Sequence, residues 1–269
     1  MKKVKYYLLA ALFIGLLSGS VYAQSDLKVP LSNPGKAGKL IISTVFSDEI
    51  VIRTHNDDNN VVINYSGDDG DDEGRAYKDG LRRISTGGVG LEVTEEGNEV
   101  RIQTSPMPSD LELVVYVPKK FSLKLNATQG DVEVDGLEGE HEISAVNGDI
   151  DLTNLSGSAV VNSVNGDINV DFNRITPDVP MSFTGVNGDM KVTLPANAKF
   201  SVKMKTEWGD IYTNFDMEIN RSSNAKEVSE DDGRYKVAVN KWLYGDVNGG
   251  GTEFLFKTLH GDISIRKKE

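Results

Sequence analysis

The sequence predicts an all-β protein, an elongated single-domain β-solenoid (β-helix-like) of stacked 18-22 residue rungs. Three observations predict it: a Gly-Asp step that recurs at near-constant spacing, apolar residues that alternate every second position beside each step, and the lack of a convincing amphipathic helix beyond Ala23. The clearest copies are Ala145 to Leu152, Ser163 to Val170, Gly185 to Val192 and Thr258 to Ile265, with weaker ones at Thr128 to Val134 and Glu207 to Tyr212. The aspartates at positions 131, 149, 167, 189 and 210 follow one another at steps of 18, 18, 22 and 21, the length of one supersecondary unit.

After each Gly-Asp the apolar side chains fall on one face, as in Ile150 and Leu152 or Ile168 and Val170, and a second alternating run precedes the next step. Each unit therefore offers two short strands. One unit alone cannot bury its apolar face, so neighbours must stack and share a core. Asn-Gly between alternating hydrophobics is also a hairpin signal, so the alternative fold is an antiparallel β-sandwich or meander. In a stack the glycine supplies a positive φ at a corner, and the Asp or Asn side chain bonds nearby backbone N–H groups.

Residues 1–23 read as a signal peptide: Lys2, Lys3 and Lys5, an apolar run from Leu8 to Leu17, then a small-residue cut site ending at Ala23. The run is shorter than the roughly 20 residues that span a bilayer. No transmembrane segment is expected after cleavage, and with no cysteine in the chain no lipid anchor of the Cys-linked kind. Residues 24–38, rich in Pro and Gly, read as an irregular N-terminal tail. Residues 39–118 read as degenerate β-repeats with an acidic loop, and 119–267 as the regular repeat region with a polar insertion at 220–233. Tyr244-Gly245-Asp246-Val247 reads as an off-register corner within the gap between Asp210 and Asp262.

The formal net charge is -12, and loss of three lysines with residues 1–23 makes it -15. Such a balance argues against nucleic acid as a partner, which clustered Lys and Arg would bind. Without cysteine there are no disulfides, thiolate metal sites or Cys nucleophile.

The loop carrying Asp68, Asp69, Asp71, Asp72 and Glu73 could offer oxygens to Ca²⁺, but an EF-hand begun at Asp69 would place Gly80 where the bidentate Glu belongs. A solvated charged loop is the simpler reading. The row Asp131, Asp149, Asp167, Asp189, Asp210 and Asp262 could present paired carboxylates to a glycan, the machinery of glycoside hydrolysis. Its recurrence once per rung points instead to a corner device. His55, His141 and His260 are far apart, and no zinc, nucleophile-elbow or phosphate-loop motif occurs. Trp208, Trp242, Tyr212 and Tyr244 could form a carbohydrate-stacking platform, although interior or rung-end packing is the simpler use of strand aromatics. No catalytic, cofactor-binding or metal residue is assigned.

The recurrent Val-Asn-Gly-Asp-Ile pattern, the strand Asp110 to Pro118 and the closing Gly250 to Ile265 resemble the bacterial putative-adhesin family of β-strand-repeat proteins, largely a domain of unknown function. The resemblance covers roughly residues 40 to 267. It implies an exported β-solenoid-like domain and brings no catalytic residues. His260 departs from it where Asn is usual, as does the 220–233 insertion. The expectation is a non-catalytic envelope or cell-surface protein with an adhesin-like binding or structural role, located in the periplasm, on the outer surface or outside the cell. Its partner would be an envelope protein or a glycan, and no cofactor is implied. A polysaccharide-acting β-helix enzyme is the alternative.

Overall fold

A computed structural model of the chain describes residues 25–66, 77–78, 81–82, 90–104, 111–220, 226–231, 234–239 and 242–269. The expected signal peptide and the acidic loop 68–73 lie outside them. Among the described residues the protein is all-β and contains no helix. Most strands join one large sheet system, with two separate two-stranded pairs.

The system consists of two ladders of parallel strands. In spatial order the first runs Glu99–Thr104, Gly38–Thr44, Phe121–Gln129, Glu138–Asn147, the later part of Ile150–Asn165, Met181–Asn187, Glu253–Lys257 and Phe200–Lys205. The second runs Glu112–Pro118, Glu49–His55, Asp131–Asp135, the first residues of Ile150–Asn165, Ile168–Ile175, Met190–Leu194, Ile263–Lys267 and Ile211–Thr213. In the middle of the stack the pairings Leu125↔Ile143, Ile143↔Val161 and Val161↔Phe183 repeat the spacing of the Gly-Asp steps.

Strands on either side of a Gly-Asp step pair with their counterparts above and below, not with each other, so the hairpin reading of the Asn-Gly steps does not hold there. The reason is the alternation. Apolar residues on both flanks point inward, and only stacking in register lays like upon like. One inward column holds Ile42, Leu125, Ile143, Val161, Phe183, Phe256 and Met204, all buried. The facing ladder supplies Ile50, Val132, Ile150, Ile168, Met190 and Ile263. In-register stacking brings rings together: Phe183 lies on Phe256 with centroids 5.2 Å apart, and Phe200 on Phe254 at 4.8 Å. Each such side chain is worth roughly 1.5–3 kcal/mol in area removed from water, and the buried residues form one contiguous cluster.

Stacking order is not chain order. Segment 38–55 lies between 99–118 and 121–135, and segment 253–267 lies between 181–194 and 200–213. Between Asp210 and Asp262 the chain leaves the two ladders to supply the covering strands Met217–Asn220 and Leu243–Val247, and the two aspartates still lie on neighbouring levels. Antiparallel strands cover the stack ends: Leu91–Glu96, Asn60–Ser66 and Ser25–Pro30 at one, Leu243–Val247 and Met217–Asn220 at the other.

Three expectations change. The tail 24–38 includes a strand, Ser25–Pro30, which pairs with Asn60–Ser66 and buries Val29; a short covering strand needs few apolar residues and leaves little periodicity to read. The 220–233 insertion contributes Lys226–Asp231, paired antiparallel with Arg234–Val239. Tyr244-Gly245-Asp246-Val247 is no corner but lies within a covering strand, where Asp246 accepts a hydrogen bond from the Ser201 hydroxyl.

Candidate functional site

The Gly-Asp corners form a continuous row. Each aspartate Oδ1 accepts the backbone N–H of the next aspartate: Asp131 from Asp149 (2.8 Å), Asp149 from Asp167 (2.8 Å), Asp167 from Asp189 (2.7 Å), Asp189 from Asp262 (2.8 Å) and Asp262 from Asp210 (2.8 Å). A corner cannot continue the regular strand ladder, and these side chains supply the missing acceptors. The adjoining glycine has no alternative. At Gly166, φ is +139° and a Cβ would sit 2.1 Å from the Gly148 carbonyl oxygen. Beside this row runs an amide ladder, Asn187 to Asn165 (2.8 Å) and Asn165 to Asn147 (2.9 Å). His260 takes the next place, and Trp208 stacks on it at 6.1 Å and 11°. The departure at His260 thus exchanges an amide contact for a ring contact.

The other sequence candidates are not brought together. His55 Nδ1 accepts the Asp57 N–H just past the strand Glu49–His55. His141 is 3 % exposed between Leu123 and Ala159, and neither ring nitrogen has a hydrogen-bond partner. Burial pushes its imidazole down to about 4, opposed by the Ser156 backbone, which stops short of a hydrogen bond. Among the described residues no group of three or more His, Asp or Glu side chains is placed to hold a metal ion. Of the four aromatics, Trp208 (69 % exposed) and Tyr212 (52 %) face outward on one rung, so interior packing is not their role. The Asp210 and Asp262 carboxylates beside Tyr212 raise its phenol. Trp242 lies under the ammonium groups of Lys203 (4.8 Å) and Lys205 (5.6 Å).

A different constellation emerges just before each corner. The residue four places ahead of each glycine points outward: Asn126, Ser144, Asn162 and Thr184, aligned by strand register. The residue three ahead is small and set inward, namely Ala127, Ala145, Ser163 and Gly185. The residue two ahead is exposed again: Thr128 on the first of these units, then Val146 (39 %), Val164 (40 %) and Val186 (37 %), with Leu259 (39 %) in the same place ahead of Gly261. The small residues between the two outward rows leave a groove of about 620 Å³ along the stack, extended by Ser43, Val45 and Gln103. One wall carries hydroxyl and amide groups, with Thr184 donating to Asn162 Oδ1. The other carries valine methyls. Superposing the repeats on their glycines shows a polar, small, apolar triplet, a signal that the stronger Gly-Asp step masks because the residues before it read simply as strand.

Fold and site together define an all-β repeat protein with a lateral groove built from equivalent positions of successive units. The chain belongs to the Toastrack DUF4097 family, whose sequence profile matches residues 109–248. No curated protein matches it. The crystal structure of a putative cell adhesion protein from Clostridium sporogenes ATCC 15579 is similar at 12% identity, aligned over 91% of this chain and 100% of its own with a TM-score of 0.39.

Proposed function

We propose that this is an exported, non-catalytic envelope or cell-surface protein, an elongated β-solenoid whose lateral groove holds an extended macromolecule in an adhesin-like manner. The observation that carries this reading is the row of exposed valines facing a row of amides and hydroxyls at fixed intervals along one face. Exposed apolar residues in a line, rimmed by polar ones, mark an interaction surface, whereas isolated ones need no explanation. The lysine-led apolar N-terminus supports export. Among the described residues no helix is long and apolar enough to cross a membrane.

The test combines fractionation with sedimentation. Tagged protein should leave the cytoplasm and become accessible to protease in cells with a permeabilised envelope. Purified protein should co-sediment with isolated cell envelopes, and Val164→Asp, at an exposed position in the groove, should abolish this with an unchanged thermal midpoint. Retention in the cytoplasm would refute export. Equal sedimentation of wild type and Val164→Asp would refute the groove.

A further inference from the structure

We propose that the groove takes an anionic glycan, laid parallel to the stack with an acidic group at its Lys257 end. This rests on the groove being the binding face. Charge separates the groove from its surroundings. The chain has 41 Asp and Glu residues, yet none of those among the described residues lines the groove. Strand register continues the polar wall from Thr184 to Lys257 and then to Lys205. The exposed Lys257 side chain forms no ion pair or hydrogen bond with any described residue.

Two lysines directly opposite on neighbouring strands repel each other and destabilise the sheet. Lys203 lies beside them, sharing the Trp242 ring with Lys205. One carboxylate, Glu207, bridges to Lys205 at 2.6 Å. Lys203, Lys205 and Lys257 bring three ammonium groups to this end with Glu207 paired to Lys205, while the Asp262 and Asp210 carboxylates stand at the corner beyond the apolar wall, so an acidic group would settle on the lysine side.

The walls select the rest of the ligand. A pyranose presents hydroxyls at its edge and C–H groups on its face, which match the amide and hydroxyl wall and the valine wall. Equivalent positions recur about every 4.8 Å along paired strands, close to the length of one sugar, so a regular glycan stays in step with the rungs. Trp208, exposed next to Glu207, adds a flat face for the same C–H groups. A peptide would gain little by strand addition here, because the backbone beneath the groove is already paired on both sides. A nucleic acid would need cations along the whole groove rather than at one end.

Calorimetric titration of the purified chain with hexasaccharides of polygalacturonate, polymannuronate and hyaluronan, and with cellohexaose and maltohexaose, tests this. At least one acidic hexamer should bind about tenfold more tightly than either neutral one, the worth of one charge-assisted contact. Lys257→Gln should erase the difference, Val164→Asp should abolish binding, and both variants should keep the wild-type thermal midpoint. Equal binding of acidic and neutral hexamers, unaffected by Lys257→Gln, overturns the acidic preference and leaves the groove standing. Failure of every hexamer to bind at millimolar concentration overturns the glycan; if Val164→Asp still abolishes envelope sedimentation, the groove survives with another ligand.

Discussion

Replacing His141 by leucine tests the core through its one buried imidazole. The ring sits between Leu123 and Ala159 with neither nitrogen bonded, and burial lowers its pKa from an ordinary 6.5 to about 4. Above pH 6.5 the histidine is neutral whether the chain is folded or not, and contributes no pH dependence. Between 6.5 and 4 the unfolded chain takes up a proton that the folded chain refuses, so stability falls with pH by about 1.4 kcal/mol per unit. Below 4 both states are protonated and the loss levels off. The window implies a total loss of about 3 kcal/mol. Leucine removes this term and also removes two unsatisfied nitrogens, so the variant should gain about 1 kcal/mol at neutral pH as well. Urea denaturation at pH 7.5 and pH 4 measures both effects, and the carboxylates, common to the two proteins, cancel in the comparison. His141→Leu should outlast wild type by about 3 kcal/mol more at pH 4 than at pH 7.5. Parallel losses in the two proteins would refute burial of a neutral imidazole.

Gly166→Ala should cost about 3 kcal/mol or more by urea midpoint, since its Cβ would meet the Gly148 oxygen at 2.1 Å, whereas Gly97→Ala, with nothing within 4 Å of the new carbon, should cost only about 1 kcal/mol for its positive φ. Asp149→Ala should cost about 1–2 kcal/mol by leaving the Asp167 N–H without its acceptor, while Asp149→Asn keeps an Oδ1 there and should cost less; equal effects would show that the row acts through charge. Phe183→Ala, which empties a fully buried place beside Phe256, should cost about 3–5 kcal/mol in the same assay.

The rungs from Thr128 to Leu194 were legible because three local signals agree there: alternation, spacing and corner chemistry. The insertion of 253–267 between levels made earlier was not. Phe183 pairs with Phe256 across a long stretch of intervening chain, and nothing within a strand records which neighbour it will meet. Ser25–Pro30 escaped notice for a related reason, since a covering strand is held by backbone pairing more than by its own apolar pattern. At the site, the aspartates were legible as corner residues because Asp and Gly carry turn chemistry on their own. The groove was not, because Ala145 or Ser163 becomes a floor only when its neighbours on successive strands line up.

Placing segment 253–267 between 181–194 and 200–213 governs when the protein can be finished. A ribosome that has reached Thr252 has made every other level of both ladders, but the slot for the last one stands open with unpaired strand edges on each side. Such edges are templates for foreign strands. Assembly in chain order cannot close the stack before residues 253–267 arrive, and the closing step is the insertion of a segment that follows both its neighbours in sequence. Loss of the chain from Glu253 onward would therefore remove a level from the interior of the stack rather than fray its end, and the shortened chain should aggregate rather than persist as a smaller soluble repeat protein.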